Sequence, residues 1–215
     1  MGKIRACIFD LDGVVVDTAK YHYLAWKRLA GQLGFDFTPA DNERLKGVSR
    51  MDSLNILLEI GGKNFTDEEK NQLADKKNDW YNDYINKMHP DEVLPGVIDF
   101  FKVLKSKNYK MALGSASKNA KAILEKTNLL PWFDAVIDGT VTTKAKPDPE
   151  VFLLGARALQ TQPEDCVVFE DAEAGVEAAI KAGMYCIGVG SPEILKKANQ
   201  VIPSLQQMNE ELLTF

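Results

Sequence analysis

The fold of this 215-residue chain is decided by the stretch Ile8-Phe9-Asp10-Leu11-Asp12-Gly13-Val14. An apolar run from Ile4 to Phe9, interrupted only by Arg5, ends in two aspartates two residues apart, and a glycine follows. Such a run predicts a buried parallel strand, and α/β sheets bind ligands at the carboxyl ends of their strands. Two carboxylates at that position cost desolvation energy unless a cation or a titrating role offsets it. The stretch therefore predicts a metal ion and a nucleophile, although an Asp-Gly turn capped by two aspartates would also explain it when it is considered alone.

Three later segments carry polar residues beside predicted strands or helices. The strand-like Lys110-Met111-Ala112 leads into Leu113-Gly114-Ser115-Ala116-Ser117, and Val167-Val168-Phe169 leads into a second acidic pair, Glu170-Asp171. Between them, Lys146-Pro147-Asp148-Pro149 precedes a helical pattern. A plain helix N-cap would explain Ser115 or the second acidic pair alone, but not both acidic pairs facing each other at strand ends.

From Gly96 onward, the pattern alternates between strand and helix, which predicts an α/β fold with a doubly wound parallel sheet. The first strand belongs to the same sheet, because its aspartates must meet the later polar residues. The strands are predicted at Lys110–Gly114, Ala135–Ile137, Cys166–Phe169 and Cys186–Val189, and helices at Asn119–Lys126, Pro149–Leu159 and Gly175–Ala182.

Strand patterns are absent between Thr18 and about Lys110, where helical spacing and helix-start signals take their place. Ser49 with Asp52, and Thr66 with Glu69, are spaced as N-terminal caps. We predict an α/β core domain of residues 1–15 and 94–215, and a helical-bundle cap domain of residues 16–93 with a hinge at each junction. A cap above the strand ends can close over a substrate and exclude water.

The composition favours a water-soluble enzyme of the cytoplasm. A net charge of −5 argues against nucleic acid or an anionic membrane as a partner, and no apolar run approaches membrane-spanning length. The first strand begins too early to leave room for a signal peptide. The three cysteines, Cys7, Cys166 and Cys186, fall in predicted strands and are expected to be buried, reduced thiols. We expect a monomer.

The four motifs resemble, in order, those of the haloacid-dehalogenase superfamily of phosphoryl-transfer enzymes, whose first motif matches Asp10 through Thr18. The resemblance implies that Asp10 is a nucleophile that forms an aspartyl-phosphate, and that Asp12 is the general acid–base. It also implies that Lys146 bridges nucleophile and phosphate, while the Ser115 hydroxyl and the Ala116 amide donate to phosphoryl oxygens.

Phosphoryl transfer to a carboxylate also needs a cation, since two unit charges 4 Å apart repel by ~4 kcal/mol at an effective dielectric constant near 20. Hard oxygen donors predict Mg²⁺ rather than Zn²⁺, held by the side chains of Asp10, Glu170 and Asp171. The resemblance adds the backbone carbonyl of Asp12 as a fourth protein ligand. Ala172 departs from the pattern, because many relatives carry serine there, but this change removes none of the proposed ligands.

The segments Thr18–Lys27, Asn42–Arg50 and Ser115–Asn119, with Lys77-Asn78, resemble the β-phosphoglucomutase family within that superfamily. This resemblance covers residues 4–192 and implies interconversion of β-D-glucose 1-phosphate and glucose 6-phosphate through a sugar bisphosphate. Arg50 would then grip the distal phosphate from the cap. Further residues implied in substrate binding or cap closure are Thr18, His22, Lys46, Gly47, Val48, Ser49, Lys77, Ala116, Ser117, Lys118 and Asn119.

Other functions remain compatible with the sequence. The same fold could serve a phosphatase for small sugar phosphates, with water in place of the second hydroxyl group. A non-catalytic module that senses a phosphosugar is disfavoured, because it would need neither nucleophile nor acid–base. A carbon–phosphorus hydrolase would need a Schiff-base lysine in the cap, for which Lys46 or Lys77 are candidates, but the context Val48-Ser49-Arg50 fits a mutase better. Trp26 is interpreted as cap core.

Overall fold

A computed structural model describes residues 4–45 and 48–213. Its centre is a parallel sheet of six strands in the order β3-β2-β1-β4-β5-β6, which confirms the predicted fold class. The strands are Ala6–Phe9 (β1), Lys110–Gly114 (β2), Ala135–Ile137 (β3), Cys166–Glu170 (β4), Tyr185–Val189 (β5) and Gln200–Ile202 (β6).

Eight α-helices accompany the strands within the described residues. Four of them, α1 to α4, lie in the sequence between β1 and β2, and α5 also precedes β2. The helices are Ala19–Gln32 (α1), Pro39–Glu43 (α2), Arg50–Ile60 (α3), Asp67–Ile85 (α4), Val97–Ser106 (α5), Ala120–Lys126 (α6), Glu150–Ala158 (α7) and Glu173–Lys181 (α8).

Helices cover both faces of the sheet. Successive residues of a strand point to opposite faces, so a strand that is apolar throughout needs a partner on each face. Ile8 of β1 lies in a buried cluster with Phe152 of α7 and Val176 of α8. Its neighbour Phe9 packs on the other face, 6.2 Å from the ring of Phe100 in α5. A nearly continuous apolar strand such as β1 is what burial on both faces requires.

The strand order reverses beside β1, and this position determines where polar residues meet. The chain adds β2 and then β3 on one side of β1, and it then returns to add β4 on the other side of β1. Phe9 is level with Leu113 of β2 and Phe169 of β4, so the residues that follow them emerge at the same edge. Ligands of open α/β sheets bind in the crevice at such a switch point.

β6 was not predicted from the sequence, and several predicted boundaries differ from the observed ones by one or two residues. β6 has only three residues, too few to show a period, and it forms by pairing with β5, where Ile187 is level with Gln200. The side chain of Asn199 extends that pairing by accepting the amide of Cys186 at 2.8 Å. These are long-range contacts that local patterns do not encode.

The chain divides into two compact units, one comprising the residues up to Asp17 and those from His89 onward, and the other comprising Thr18–Met88. We call them the core unit and the cap unit. Their boundaries differ from the predicted ones at 15/16 and 93/94. Val16 pairs with Val93, and the amide of Leu94 donates to the carbonyl of Val15 at 3.0 Å, so both junction segments belong to the core unit.

The cap unit is helical, with α1 and α3 packed against α4. Both cap signals seen in the sequence are confirmed. The Ser49 hydroxyl accepts the amide of Asp52 at 3.2 Å, and the carboxylate of Glu69 accepts the amide of Thr66 at 2.8 Å. These bonds satisfy amide groups that the first helical turn leaves without partners.

Two further expectations concern burial and membranes. All three cysteines are buried free thiols, as predicted. Among residues 4–45 and 48–213, no helix combines the length and apolarity that crossing a membrane would require.

Candidate active site

Three carboxylates converge at the switch point of the core unit. Asp10 follows β1, Glu170 ends β4 and Asp171 comes next. One carboxylate oxygen from each lies within 4.8 Å of the others, and Asp10 and Glu170 are buried. Asp10 of the first acidic pair therefore meets both residues of the second pair across the adjacent strands β1 and β4, as their positions at strand ends predicted.

Lys146 joins this acidic cluster from the loop before α7. Its ammonium group lies 2.5 Å from Oδ1 of Asp10 and 2.8 Å from Oε2 of Glu170. Only 8% of the lysine side chain is exposed. Burial alone would lower the pKa of Lys146, but the attraction of Asp10 and Glu170 is stronger and raises it, so the amine stays charged.

The cluster holds three carboxylates against one ammonium, which leaves an excess of negative charge. Burial raises the pKa of Glu170, and repulsion from Asp10 adds to this effect, although Lys146 opposes it. A divalent cation among the three carboxylates would offset both the burial and the repulsion. The donors are all hard oxygens, so the residues present fit a magnesium ion.

Gly13 makes room for this site, a role that the sequence pattern did not indicate. Its φ of +78° lies in the left-handed region, and a Cβ there would overlap the carboxyl group of Asp171. Its amide donates to the carbonyl of Val16 at 2.8 Å, which closes the turn after Asp12. Asp12 is half-buried, and its backbone pairs with Val16. Glycine is thus required both by the backbone conformation of the turn and by the closeness of the Asp171 carboxyl group, a candidate metal ligand.

The loop after β2 carries five of the predicted site residues and is held by its own hydroxyls. Ser115 is buried, and its oxygen accepts the amide of Ser117 at 3.1 Å; the Ser117 oxygen in turn accepts the amide of Asn119 at 3.2 Å. Because α6 begins at Ala120 with Asn119 as its N-cap residue, Ser115 is not a plain helix cap. Ala116 and Lys118 are exposed.

Glu150 fastens the loop that carries Lys146, a role that the sequence analysis missed. Its carboxylate accepts the amides of Thr143 and Lys144, both at 2.7 Å, and the hydroxyl of Thr143 at 2.8 Å. The hydrogen bond from the Lys144 amide, followed by that from the Thr143 hydroxyl, lowers the pKa of Glu150. The available signal was an acidic residue in the first turn of a helix that directly follows Lys146-Pro147-Asp148-Pro149.

A second group of predicted site residues meets inside the cap unit. Lys77 of α4 is 2% exposed, and its ammonium group lies 2.9 Å from Nδ1 of His22 in α1. The ammonium also lies 4.5 Å from the ring centroid of Trp26 and 4.9 Å from that of Tyr81. Cation–π contacts of this kind compensate part of the cost of burying a charge. Trp26 is cap core, as interpreted, and it also contacts this lysine.

Tyr81 connects this lysine to the start of the cap. Its ring stacks on His22 with centroids 4.1 Å apart, and its hydroxyl donates to Oγ1 of Thr18 at 3.3 Å. Thr18 is fully buried. The sequence singled out Thr18, His22 and Lys77 but not Tyr81, because one tyrosine on a long polar helix gives no local signal.

The protonation of His22 should make stability depend on pH. Burial lowers the pKa of His22 well below its usual value, and the positive charges of Lys77 and Arg50 add to this effect. Below a pH of ~6.5, His22 binds a proton in the unfolded chain but stays neutral in the folded protein. The free energy of unfolding should therefore fall as the pH drops below ~6.5, by at most ~1.4 kcal/mol per pH unit for this group.

Urea unfolding between pH 7.5 and 5 measures this effect. His22→Asn keeps a hydrogen-bond acceptor for Lys77 near the position of Nδ1 but cannot titrate. It should therefore flatten the dependence of the free energy of unfolding on pH. The chain has one other histidine, His89, which is exposed, so His89→Asn is the matched control and should keep the slope. Equal slopes in wild type and His22→Asn would contradict the prediction.

The remaining predicted cap residues lie nearer the surface. Arg50 begins α3, and its guanidinium group lies 3.8 Å from Oδ1 of Asp75. Val48 and Ser49 are exposed. Lys46 and Gly47, which were predicted to line the sugar, fall outside the described residues.

Comparison with known proteins identifies the family of this chain. A family model for haloacid dehalogenase-like hydrolases matches residues 4–183. The chain belongs to that family. The match spans β1, the cap unit and β4, and thus includes every acidic and basic residue of the cluster around Lys146.

Individual members of the haloacid dehalogenase-like family are similar over nearly the whole chain. A β-phosphoglucomutase of Bacillus subtilis is 43% identical over 212 residues, which cover 98% of this chain and 94% of the relative. A phosphorylated carbohydrates phosphatase of Thermotoga maritima is 33% identical over 84% of this chain and 82% of its own length. The crystal structure of β-phosphoglucomutase from Clostridium difficile superposes with a TM-score of 0.91 at 44% identity, covering 98% of this chain and 95% of that one.

Proposed function

We propose that this protein is a β-phosphoglucomutase, which interconverts β-D-glucose 1-phosphate and glucose 6-phosphate through an aspartyl-phosphate and glucose 1,6-bisphosphate. The observation that carries the proposal is the buried group of Asp10, Glu170 and Asp171 around Lys146, in a chain 43% identical to a β-phosphoglucomutase over 98% of its length. Phosphoryl transfer needs an oxygen nucleophile, a cation and donors to the phosphoryl oxygens. This group offers a carboxylate nucleophile, the ammonium of Lys146 and three carboxylates that could hold a metal cation.

Asp10 is the proposed nucleophile. Its carboxylate is buried, and Asp10 directly follows the last residue of β1 at the carboxyl edge of the sheet. Lys146 holds Oδ1, which leaves Oδ2 to attack phosphorus. Before the reaction, the positive charge of Lys146 neutralises the Asp10 carboxylate. During the reaction, the same charge neutralises the phosphoryl group that is being transferred.

The proposed cofactor is Mg²⁺, with Asp10, Glu170 and Asp171 as side-chain ligands and the Asp12 carbonyl as the fourth protein ligand. When bound, this ion would offset the negative charge of both the carboxylates and the phosphate. One oxygen of each of the three side chains lies within 4.8 Å of the others, and Lys146 links two of them, Asp10 and Glu170.

Asp12 is the proposed general acid–base. When Asp10 attacks one phosphate of glucose 1,6-bisphosphate, the bond from that phosphorus to the sugar oxygen breaks, and the oxygen of the departing glucose monophosphate receives the proton of the Asp12 carboxyl group. In the other half of the reaction, the free hydroxyl group of a glucose monophosphate attacks the aspartyl-phosphate, the Asp12 carboxylate takes its proton, and Asp10 and the bisphosphate are regenerated. Asp12 lies two residues after the nucleophile in the sequence. The turn closed by the hydrogen bond from Gly13 to Val16 fixes its backbone.

A mutase must also grip the phosphate that is not reacting. We assign this to Arg50 of the cap unit, whose planar guanidinium group can donate two parallel hydrogen bonds, and to Ser117, Lys118 and Asn119 of the core unit. Lys46, Gly47, Val48, Ser49 and Lys77 are assigned to the sugar, and Thr18 and His22 to cap closure. The short ordered loop of Ser115–Asn119 and the partly exposed Arg50 support these assignments.

A phosphatase acting on small sugar phosphates is the second candidate, because a carbohydrate phosphatase is 33% identical over 84% of the chain. One assay separates the two. The protein is given β-glucose 1-phosphate, Mg²⁺ and a catalytic amount of glucose 1,6-bisphosphate, and glucose 6-phosphate and free phosphate are both measured. Glucose 6-phosphate in large excess supports the mutase, whereas stoichiometric release of free phosphate would replace it by the phosphatase.

Activity should depend on Mg²⁺. We expect EDTA to abolish turnover and added Mg²⁺ to restore it, because the excess charge of the three carboxylates otherwise repels a phosphate dianion. Ca²⁺ should restore activity poorly, since its longer bonds and looser coordination misplace the phosphate. Initial rates against free metal concentration measure this, and full activity in the chelator would contradict the proposed site.

A further inference from the structure

Gly175 lies in the first turn of α8, directly against the carboxyl group of Glu170. A Cβ placed on Gly175 would overlap three atoms before any others: the carboxyl carbon of Glu170 and both of its oxygens. The absence of a side chain at this position therefore creates a notch, and the Glu170 carboxylate occupies it. Glu170 is 1% exposed, so this notch lies inside the protein and not at its surface.

We propose that Gly175 is a positioning residue that sets the affinity for the divalent cation, by leaving the space in which the Glu170 carboxylate faces Asp10 and Asp171. The inference rests on the magnesium site of the proposed function and goes beyond it, because Gly175 itself offers no ligand atom.

Three contacts show why the position of this carboxylate matters. Oε2 of Glu170 accepts from Lys146 at 2.8 Å, and Oε1 accepts the amide of Ala172 at 3.1 Å. One of its oxygens also lies within 4.8 Å of oxygens from Asp10 and Asp171. A methyl group at position 175 would push the carboxylate out of the position in which it makes these contacts.

The cost of that displacement should fall on metal binding rather than on folding. The overlapping atoms are the end of a side chain and not backbone, and Gly175 lies in a helix without a positive φ. Gly175 already has helical backbone angles, which alanine adopts without strain, so the substitution should leave the backbone of α8 intact. Gly13 shows the contrast. It makes the same kind of room for Asp171, but its φ of +78° would add backbone strain to any substitution.

The first test is Mg²⁺ binding to Gly175→Ala by isothermal titration calorimetry. We expect affinity to fall at least ~10-fold, the range seen when groups that orient metal ligands are changed. In kinetics, the Mg²⁺ concentration for half-maximal rate should rise by the same factor, while KM for β-glucose 1-phosphate at saturating Mg²⁺ stays within about two-fold of wild type, because no substrate contact changes. Gly31→Ala is the matched control, since Gly31 lies in α1 with open space around it.

A rescue experiment separates positioning from a general effect on structure. Aspartate is one methylene shorter than glutamate, so in Glu170→Asp the carboxyl group no longer reaches the notch. Gly175→Ala should therefore weaken Mg²⁺ binding by less than ~2-fold in the Glu170→Asp background, against at least ~10-fold in wild type. Circular dichroism and thermal unfolding confirm that each variant is folded.

Each outcome decides the inference. A folded Gly175→Ala variant with wild-type Mg²⁺ affinity overturns it, as does an equal loss of affinity in both backgrounds. If wild type itself fails to bind Mg²⁺ at millimolar concentrations, the magnesium site of the proposed function is wrong and the inference falls with it.

Discussion

Asp10→Asn is expected to abolish phosphorylation of the protein by acetyl phosphate and to lower mutase turnover by at least ~10³-fold, as loss of a covalent nucleophile does in other enzymes. An amide oxygen cannot form the acyl-phosphate, because it is a far weaker nucleophile than a carboxylate. The amide oxygen can still accept from Lys146, and Lys146 retains its contact of 2.8 Å with Glu170. The fold should therefore survive, so the loss would be chemical.

Intact-protein mass spectrometry after incubation with acetyl phosphate measures the labelling, and the coupled assay for glucose 6-phosphate measures turnover. Asp99→Asn is the matched control, because Asp99 is an exposed aspartate of α5 paired with Lys102 on the surface. It should be labelled and turn over like wild type. Labelling of Asp10→Asn at wild-type level, or near-normal turnover, would show that another residue carries the phosphoryl group.

Arg50→Ala is expected to weaken sugar-phosphate isomerisation by ~10²-fold or more, since losing one partner of a charge pair in a closed site costs roughly 2–5 kcal/mol. Phosphorylation of Asp10 by acetyl phosphate should fall much less, because that donor has no distal phosphate. Hydrolysis of the phosphoenzyme should persist, since water needs no distal grip. The measurement compares glucose 6-phosphate formation with formation and decay of the phosphoenzyme.

Two further variants sharpen this prediction. Arg50→Lys keeps the charge but loses the two-pronged geometry, so it should recover only part of the isomerase activity. Arg44→Ala is the matched control, because Arg44 is also a cap arginine paired with a carboxylate, here Glu59 at 3.1 Å. If isomerisation and phosphoenzyme formation fall together in Arg50→Ala, Arg50 is structural. If neither falls, the phosphatase gains support.

The present partner of Arg50 gives this prediction a physical basis. Its guanidinium group lies 3.8 Å from the carboxylate of Asp75, whose side chain is 79% exposed. An exposed pair at that distance contributes little to stability, so exchanging it for a phosphate costs little. Loss of Arg50 should accordingly leave the thermal stability of the protein almost unchanged, which separates a binding role from a structural one.

Much of the core site could be predicted because each of its residues directly follows or precedes a recognisable element. Asp10 and Glu170 stand at the ends of apolar runs, and the reach of a parallel strand brings such residues to one edge. Glu150 and Gly175 could not be assigned in the same way. Glu150 acts by accepting amides six and seven residues earlier, and Gly175 acts by having no side chain where the carboxylate of another residue lies.

The sequence by itself determined the elements of this protein: the strand that ends at Asp10, the helix starts at Ser49 and Thr66, and the acidic pair after β4. These follow from apolar period and from hydrogen bonds between residues three apart, both of which are local. Only the tertiary structure decided which partners the two buried lysines meet. Lys146 reaches Asp10 across 136 positions, and Lys77 reaches His22 across 55. Such pairs depend on the order of strands around β1 and on the packing of α1 against α4, and no local pattern specifies either, because burial of apolar surface is not directional.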